Sequence, residues 1–271
     1  MSNAMSDFRY RRPKSLDEAL RMLADEPEAK VLAGGQSLLP AMKQRLARPS
    51  MLVDLQELSE LRGIEVDDRH VRVGAFTRHA EVASSARIAD ALPALVHMAR
   101  GIAHPQVRHM GTLGGSIAHN DPGADYPAAV LGLGATLHTN RRAIPADGFF
   151  KGLFDTALEP GELIVRIDFP RYEASGYHKM PHPASGLVNT GAWVTRLSDG
   201  SVRVAVNGAA PCVFRSEDAE RLLADRFEPA ALDEWRPQAD GLNADLHASA
   251  AYRANLIGVS VRRALAMALR H

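Results

Sequence analysis

Two glycine-rich segments, Ala33-Gly34-Gly35-Gln36-Ser37 and Gly111-Thr112-Leu113-Gly114-Gly115-Ser116, constrain this chain more than any other feature. The first follows the apolar pair Val31-Leu32, which opens a short strand, and leads toward a helix with Ser37 as a candidate cap. Pro40 falls in the first turn, where a missing N–H costs least, and Pro49 disfavours helical geometry before it, so the helix is predicted to end near Arg48. Residues 51–55 read as the next strand, which completes a small βαβ unit. A glycine pair after a strand lets the backbone approach a ligand without an intervening Cβ. At a helix start, unpaired N–H groups and the positive end of the dipole favour a phosphate. Gly34, Gly35 and Ser37 satisfy that arrangement, although the segment matches neither the dinucleotide fingerprint nor the P-loop. Taken alone it reads more readily as a tight strand–helix connection. The second segment repeats it with two hydroxyls, Thr112 and Ser116, and with Asp125 nine residues further on. That carboxylate suits a ribose or an adenine amino group, and equally suits the cap of a helix opening at Tyr126-Pro127. Two such loops in one domain fit a pyrophosphate contacted from both sides.

The remaining pattern is α+β. Residues 13–24 read as a helix capped by Ser15, and 64–66 with 70–74 as a hairpin about Asp67-Asp68. Helices are expected over 77–85 and 93–100, then a long structured loop over 104–127, a helix to Leu131, and strands near 135–139 and 162–169. After Pro170 the pattern changes: 193–197, the turn Asp199-Gly200 and 202–206 form a hairpin, followed by helices from Ser216 and a strongly periodic one over 250–269. A domain boundary is placed within 171–176.

Composition excludes several functions. Lysine plus arginine (32) equals aspartate plus glutamate (32), which removes the electrostatic case for nucleic acid or an anionic membrane. The single cysteine, Cys212, lies among apolar residues, where a buried and inert thiol is expected, and one thiolate cannot hold an iron–sulfur cluster. The eleven histidines show no metal-site spacing, so no metal is expected. No apolar run approaches the roughly 18 residues of a membrane span, and no leader segment is evident, so the reading is a cytoplasmic protein without membrane insertion. Met1 to Ala4, preceding a second methionine at Met5, read as an expression-vector remnant. No hydrolytic triad or carboxylate pair stands out, and no catalytic acid or base is assigned.

The two glycine loops, with their flanking residues, resemble the FAD-binding (medium) subunit of the molybdenum hydroxylases, the flavin subunits of the carbon monoxide dehydrogenase and xanthine dehydrogenase type. The match is carried by the first loop with Leu38-Leu39-Pro40, by Arg45 and by Val53-Asp54-Leu55. It continues through Pro105-Gln106-Val107-Arg108, the second loop, Asp121-Pro122 and Asp125-Tyr126-Pro127. His182-Pro183-Ala184-Ser185-Gly186 and Tyr252-Arg253-Ala254-Asn255-Leu256 add later stretches. The resemblance implies a two-subdomain FAD-binding domain (PCMH/VAO-like) over 5–172, split near 56–62. A small C-terminal α+β domain over 173–271 would follow, with a three-stranded antiparallel sheet and helices. It implies that Ala33, Gly34, Gly35, Gln36 and Ser37, with Thr112, Leu113, Gly114, Gly115 and Ser116, wrap the FAD pyrophosphate. Asp125 would contact the adenosine half, Ile102 and Ile164 would line the flavin, and Lys179 would stand close to the isoalloxazine; a solvated surface lysine is the competing reading of Lys179. Ser116 stands where asparagine is commoner, and Leu187 where some members carry tyrosine. The implied partners are an iron–sulfur small subunit and a molybdenum-cofactor large subunit, in a dimer of heterotrimers, with electrons leaving to an external acceptor. Two other readings compete: a free-standing FAD oxidoreductase, with His104 as a candidate attachment point, and a non-enzymatic module that uses its glycines only as turns.

Overall fold

The computed structural model describes residues 6–246 and 248–270, so the expectation for Met1 to Ala4 lies outside the described residues. Strands β1 (Arg9–Arg11), β2 (Ala29–Leu32) and β3 (Met51–Asp54) form a parallel sheet in the order β1-β3-β2. Helix α1 (Leu16–Asp25) lays Leu16, Ala19, Leu20 and Leu23 against it, and the Ser15 hydroxyl accepts from the Glu18 N–H as expected of a cap. The sequence pattern did not mark β1, whose Arg-Tyr-Arg is exposed and carries no apolar alternation. Helix α2 (Leu38–Lys43) stops short of Arg48, because Arg45 adopts a left-handed backbone, φ 61°, and turns the chain away. Ser37 is itself in helical geometry and makes no side-chain cap.

A five-stranded antiparallel sheet follows, in the order β4-β5-β10-β6-β7. Its strands are β4 (Ile64–Val66), β5 (His70–Gly74), β6 (Thr136–Thr139), β7 (Ala143–Pro145) and β10 (Ile164–Pro170). The small hairpin β8 (Phe150–Gly152) and β9 (Asp155–Thr156) stands apart from it. Helices α3 (His79–Ser84), α4 (Ala86–Ala91), α5 (Pro93–Arg100), α6 (Pro105–Met110), α7 (Leu113–His119) and α8 (Tyr126–Gly132) complete the layer. The expected loop over 104–127 is thus largely helical. Its helices are one to two turns long and rich in glycine and alanine, so too few apolar residues recur to display a 3.6-residue period. Phe149, Phe169, Tyr126 and Leu95 are fully buried between this layer and its sheet.

Beyond Arg171 the chain enters a second antiparallel sheet of β11 (Tyr172–Pro181), β12 (Val188–Leu197), β13 (Val202–Asn207) and β14 (Phe214–Arg215). Three long strands match the expected number, and the two-residue β14 adds a short fourth at the edge. Helices α9 (Glu217–Asp225) and α10 (Ala250–Ala268) cover one face, so closely that a Cβ on Gly176 would lie 2.2 Å from the Ala264 carbonyl oxygen. The other face meets α8, where Gly132 admits the Trp193 ring. Trp193 and Tyr177 accordingly belong to the same buried cluster as α8. This contact seats the second sheet against residues 121–126 and positions the site described next.

Candidate cofactor site

The two glycine segments meet in space. A Cβ on Gly34 would lie 2.3 Å from the Met110 carbonyl oxygen and 2.6 Å from Gly111 Cα, and one on Gly115 would lie 3.4 Å from Ala33 Cβ. Side chains at Gly34 are therefore excluded by the other loop's backbone. Gly35 has φ 69°, a conformation that L-residues adopt at a cost. Together these residues bend the chain from β2 into α2. The N–H groups of Gly34, Gly35, Gln36, Ser37 and Leu38 have no acceptor among the described residues. Gln36 bridges the turn, its Nε2 donating to the Gly34 carbonyl at 3.1 Å, and Gln36 and Ser37 are exposed.

The second loop is built differently. Leu113 N–H donates to Thr77 O (2.9 Å), Gly114 N–H to Ala75 O (2.8 Å), Gly115 N–H to the Thr112 hydroxyl (3.2 Å) and Ser116 N–H to Thr112 O (3.1 Å). All four amides are spent inside the protein. The Thr112 hydroxyl is the cap of α7, in a residue 2% exposed. Gly114 is glycine because a Cβ would strike Ala75, 2.6 Å from its Cβ. The expectation of matched amide cradles therefore needs correction. The second loop presents the half-buried Gly115 surface and the Ser116 hydroxyl, which has no partner among the described residues. Its other groups are structural.

Asp125 stands at the N-cap position of α8, but its backbone is helical and its side chain makes no capping bond to the α8 amides. The carboxylate is 5% exposed and faces the second sheet, accepting from Tyr177 OH at 2.9 Å and from Lys179 Nζ at 3.1 Å. Burial pushes this carboxyl above its ordinary range, against the pull of the Lys179 ammonium and the Tyr177 hydroxyl. Lys179 is not a solvated surface lysine. Its side chain is 13% exposed, and Nζ also donates to Gly101 O at 2.8 Å and Gly186 O at 3.4 Å. One ammonium thus pins the end of α5, the start of α8 and the β11–β12 loop together. Asn207 completes the network, donating to Ala124 O (2.7 Å) and Tyr177 OH (3.4 Å).

Tyr177 and Asn207 escaped the sequence reading because nothing in their strands distinguishes them from ordinary core residues. His79 escaped it too. Its N–H donates to Gly111 O (3.0 Å), and its ring lies beneath Gly111 and 5.3 Å from the Tyr126 ring. Burial, with the nearby Arg108 charge, lowers its pKa to about 4, so the ring is neutral near pH 7. His79 Nδ1 and Tyr126 OH are buried without a hydrogen-bond partner.

Ile102 is half-buried and packs on the central core, and its carbonyl accepts from Arg108 Nη1 at 2.7 Å. Ile164 is 7% exposed within that core; its neighbour Val165 accepts from Ala75 N–H, which ties β10 to the residue beneath Gly114. Leu187 is 48% exposed and lies over Gly123. His104 is exposed, and Cys212 is half-buried, 3.6 Å from Asn120 Nδ2. Among the described residues no cluster of metal-ligating side chains occurs, and no helix is long and apolar enough to cross a membrane.

Residues 6–172 match the family described as "FAD binding domain in molybdopterin dehydrogenase". The chain belongs to that family. The similarity extends past the matched domain. The chain is 37% identical to the carbon monoxide dehydrogenase medium chain of Hydrogenophaga pseudoflava, covering 95% of this chain and 96% of that one. It is 36% identical to the nicotine 6-hydroxylase medium subunit of Paenarthrobacter nicotinovorans, over 95% and 96%. The fold superposes on a chain of the reconstituted CO dehydrogenase from Oligotropha carboxidovorans with TM-score 0.90 and 34% identity, covering 98% of each. FAD is the family's ligand, and the residues present fit it: five amides without an acceptor among the described residues, at the end of a βαβ strand, suit a diphosphate.

Proposed function

We propose that this chain is the flavin-carrying, electron-transferring subunit of a molybdenum-containing hydroxylase or dehydrogenase. It would act with an iron–sulfur small subunit and a molybdenum-cofactor large subunit, as a dimer of heterotrimers in the cytoplasm. The observation that carries this reading is similarity along nearly the whole chain to medium subunits of such enzymes, joined to a run of five amides with no acceptor among the described residues. Two relatives of almost equal identity bear names with chemically unrelated substrates, carbon monoxide and nicotine. Substrate choice is therefore assigned to another subunit, and this chain's task to a step common to both. Bound FAD supplies a carrier that takes up electrons arriving singly and releases them as a pair, chemistry that belongs to the cofactor.

The protein's share is binding and orientation. The amides of Gly34, Gly35, Gln36, Ser37 and Leu38 would receive the diphosphate. The Gly115 backbone would pack against it from the other side, and the Ser116 hydroxyl would donate one further bond. Thr112, Leu113 and Gly114 hold that surface in place. Asp125 and Lys179, through their mutual bond, would fix the 121–126 segment and the β11–β12 loop around the remainder of the cofactor, with Ile102 and Ile164 as its apolar neighbours. The division into an FAD domain to residue 172 and a C-terminal domain from 173 belongs to the same proposal.

The test is purification of the chain alone and with its native partners. The expected result is a yellow chain, or one that becomes yellow on FAD titration, whose absorbance bleaches under a hydroxylase substrate only when molybdenum- and iron-containing subunits are present. A chain that takes up no FAD, or one that oxidises such a substrate unaided, defeats the proposal.

A further inference from the structure

A cavity of about 590 Å³ opens between α3, α6, the end of α5 and residue 62, and shares no residue with either glycine loop. Arg62, Arg78, Arg100, Arg108 and His109 line it, with Glu81 as the one carboxylate. Among the described residues none of the four guanidinium groups forms an ion pair. The chain carries equal numbers of basic and acidic residues, and arginines such as Arg142, Arg166 and Arg253 are paired with Glu162, Asp168 and Asp245, while others, Arg87 and Arg171 among them, donate only to carbonyls. What sets this cleft apart is that four guanidinium groups without an ion pair line one opening beside a single carboxylate, and their mutual repulsion is a standing cost.

Their positions are built rather than loose. Arg62 lies over the Phe76 ring, 4.5 Å from its centroid, and donates to Gln56 O at 3.1 Å. Arg100 Nε donates to Ala83 O at 3.0 Å, and Arg108 Nη1 to Ile102 O and Ala103 O at 2.7 and 2.8 Å. Each retains further N–H donors beyond these carbonyls. Arg78 has none of these restraints, and its Nε is buried without a partner. Glu81 does not compensate it by ion pairing, since its Oε2 accepts from the Arg78 backbone N–H at 2.8 Å.

We infer that this cleft is a second anion site, separate from the flavin cradle, and that it takes a phosphate-bearing small molecule of nucleotide size. The volume lies within the range of ordinary small-ligand pockets, and planar guanidinium forks match phosphate oxygens in pairs. The inference does not rest on the flavin assignment, because the charge and the cavity stand without it.

Inorganic pyrophosphate titrated calorimetrically into the full chain, with and without saturating FAD, tests it. The expected result is one saturable site in the FAD-saturated chain, whose affinity is unchanged in the FAD-free chain, where the open amide cradle adds a second site that FAD displaces. Arg78→Gln and Arg100→Gln should each weaken it about tenfold or more, with melting temperature and FAD content unchanged, while Arg221→Gln on α9 has no effect. Absence of saturable binding overturns the inference. So does loss of the site once FAD is bound, or equal affinity in Arg78→Gln, Arg100→Gln and wild type. Binding of a hexaglutamate peptide in place of pyrophosphate overturns it in favour of a protein partner. Failure of the flavin reading would register separately, as a chain without flavin absorbance that still binds pyrophosphate.

Discussion

The two glycine loops look alike in sequence and do opposite work. The N–H groups of residues 34–38 have no acceptor among the described residues, while in 112–116 the amides of Leu113, Gly114, Gly115 and Ser116 are all bonded within the protein. Glycine is needed for different reasons as well. Gly35 is there for its positive φ, Gly34 and Gly114 because backbone or Ala75 occupies the space of a Cβ. Small residues in pairs thus mark close approach, of the Met110–Gly111 backbone to Gly34 and of Ala75 to Gly114. A general consequence is that substitutions around the second loop should cost stability, and those in the first should cost cofactor affinity.

The largest effect is expected at the buried pair that joins the second sheet to the start of α8. Lys179→Met leaves the Asp125 carboxylate buried with one bond fewer, a loss of about 3–5 kcal/mol for a broken buried pair. Because burial already raises the Asp125 pKa, the stability tied to its protonated form is present at low pH and lost as pH rises through the folded-state value. Removing Lys179 raises that value further, so urea unfolding should show a deficit that is small near pH 4 and grows toward pH 8. A deficit independent of pH would show that Lys179 acts by packing alone.

Gly114→Ala ranks next, with about 1–3 kcal/mol of overpacking against Ala75 and little change in FAD affinity once the protein is folded. Thermal unfolding beside FAD titration separates the two readouts. In Gly35→Ala the order should reverse. A strained φ costs about 1–2 kcal/mol, but displaced amides should weaken FAD tenfold or more, as each tenfold is about 1.4 kcal/mol. Equal affinity of Gly35→Ala and wild type would remove the first loop from the site. The smallest change belongs to Ser116→Ala, one lost hydrogen bond of about 1 kcal/mol seen in affinity and absent from the melting curve. If Ser116→Ala lowered the melting temperature instead, the hydroxyl would be structural and the second loop would have no direct part in binding.

Much of the architecture was legible because the signals were local. The Ser15 cap, the Asp67-Asp68 hairpin, the Asp199-Gly200 hairpin and the periodic α10 each rest on neighbours within one or two turns. The helices α6 and α7 were not legible, since glycine and short length erase periodicity. Nor was β1, which exists because its exposed residues find an edge of β3, forty positions away.

The site divides along the same line. Which residue types stand in the two loops, and that glycine must stand there, follows from the chain's own order. So does membership of a family whose blocks are contiguous stretches. Whether an amide is free or bonded depends on Ala75, Thr77 and Thr112 meeting the second loop, and whether Lys179 is solvated depends on Asp125 arriving from another layer. Hydrogen-bond partners and burial are properties of groups brought together from distant positions, so folding had to assign them.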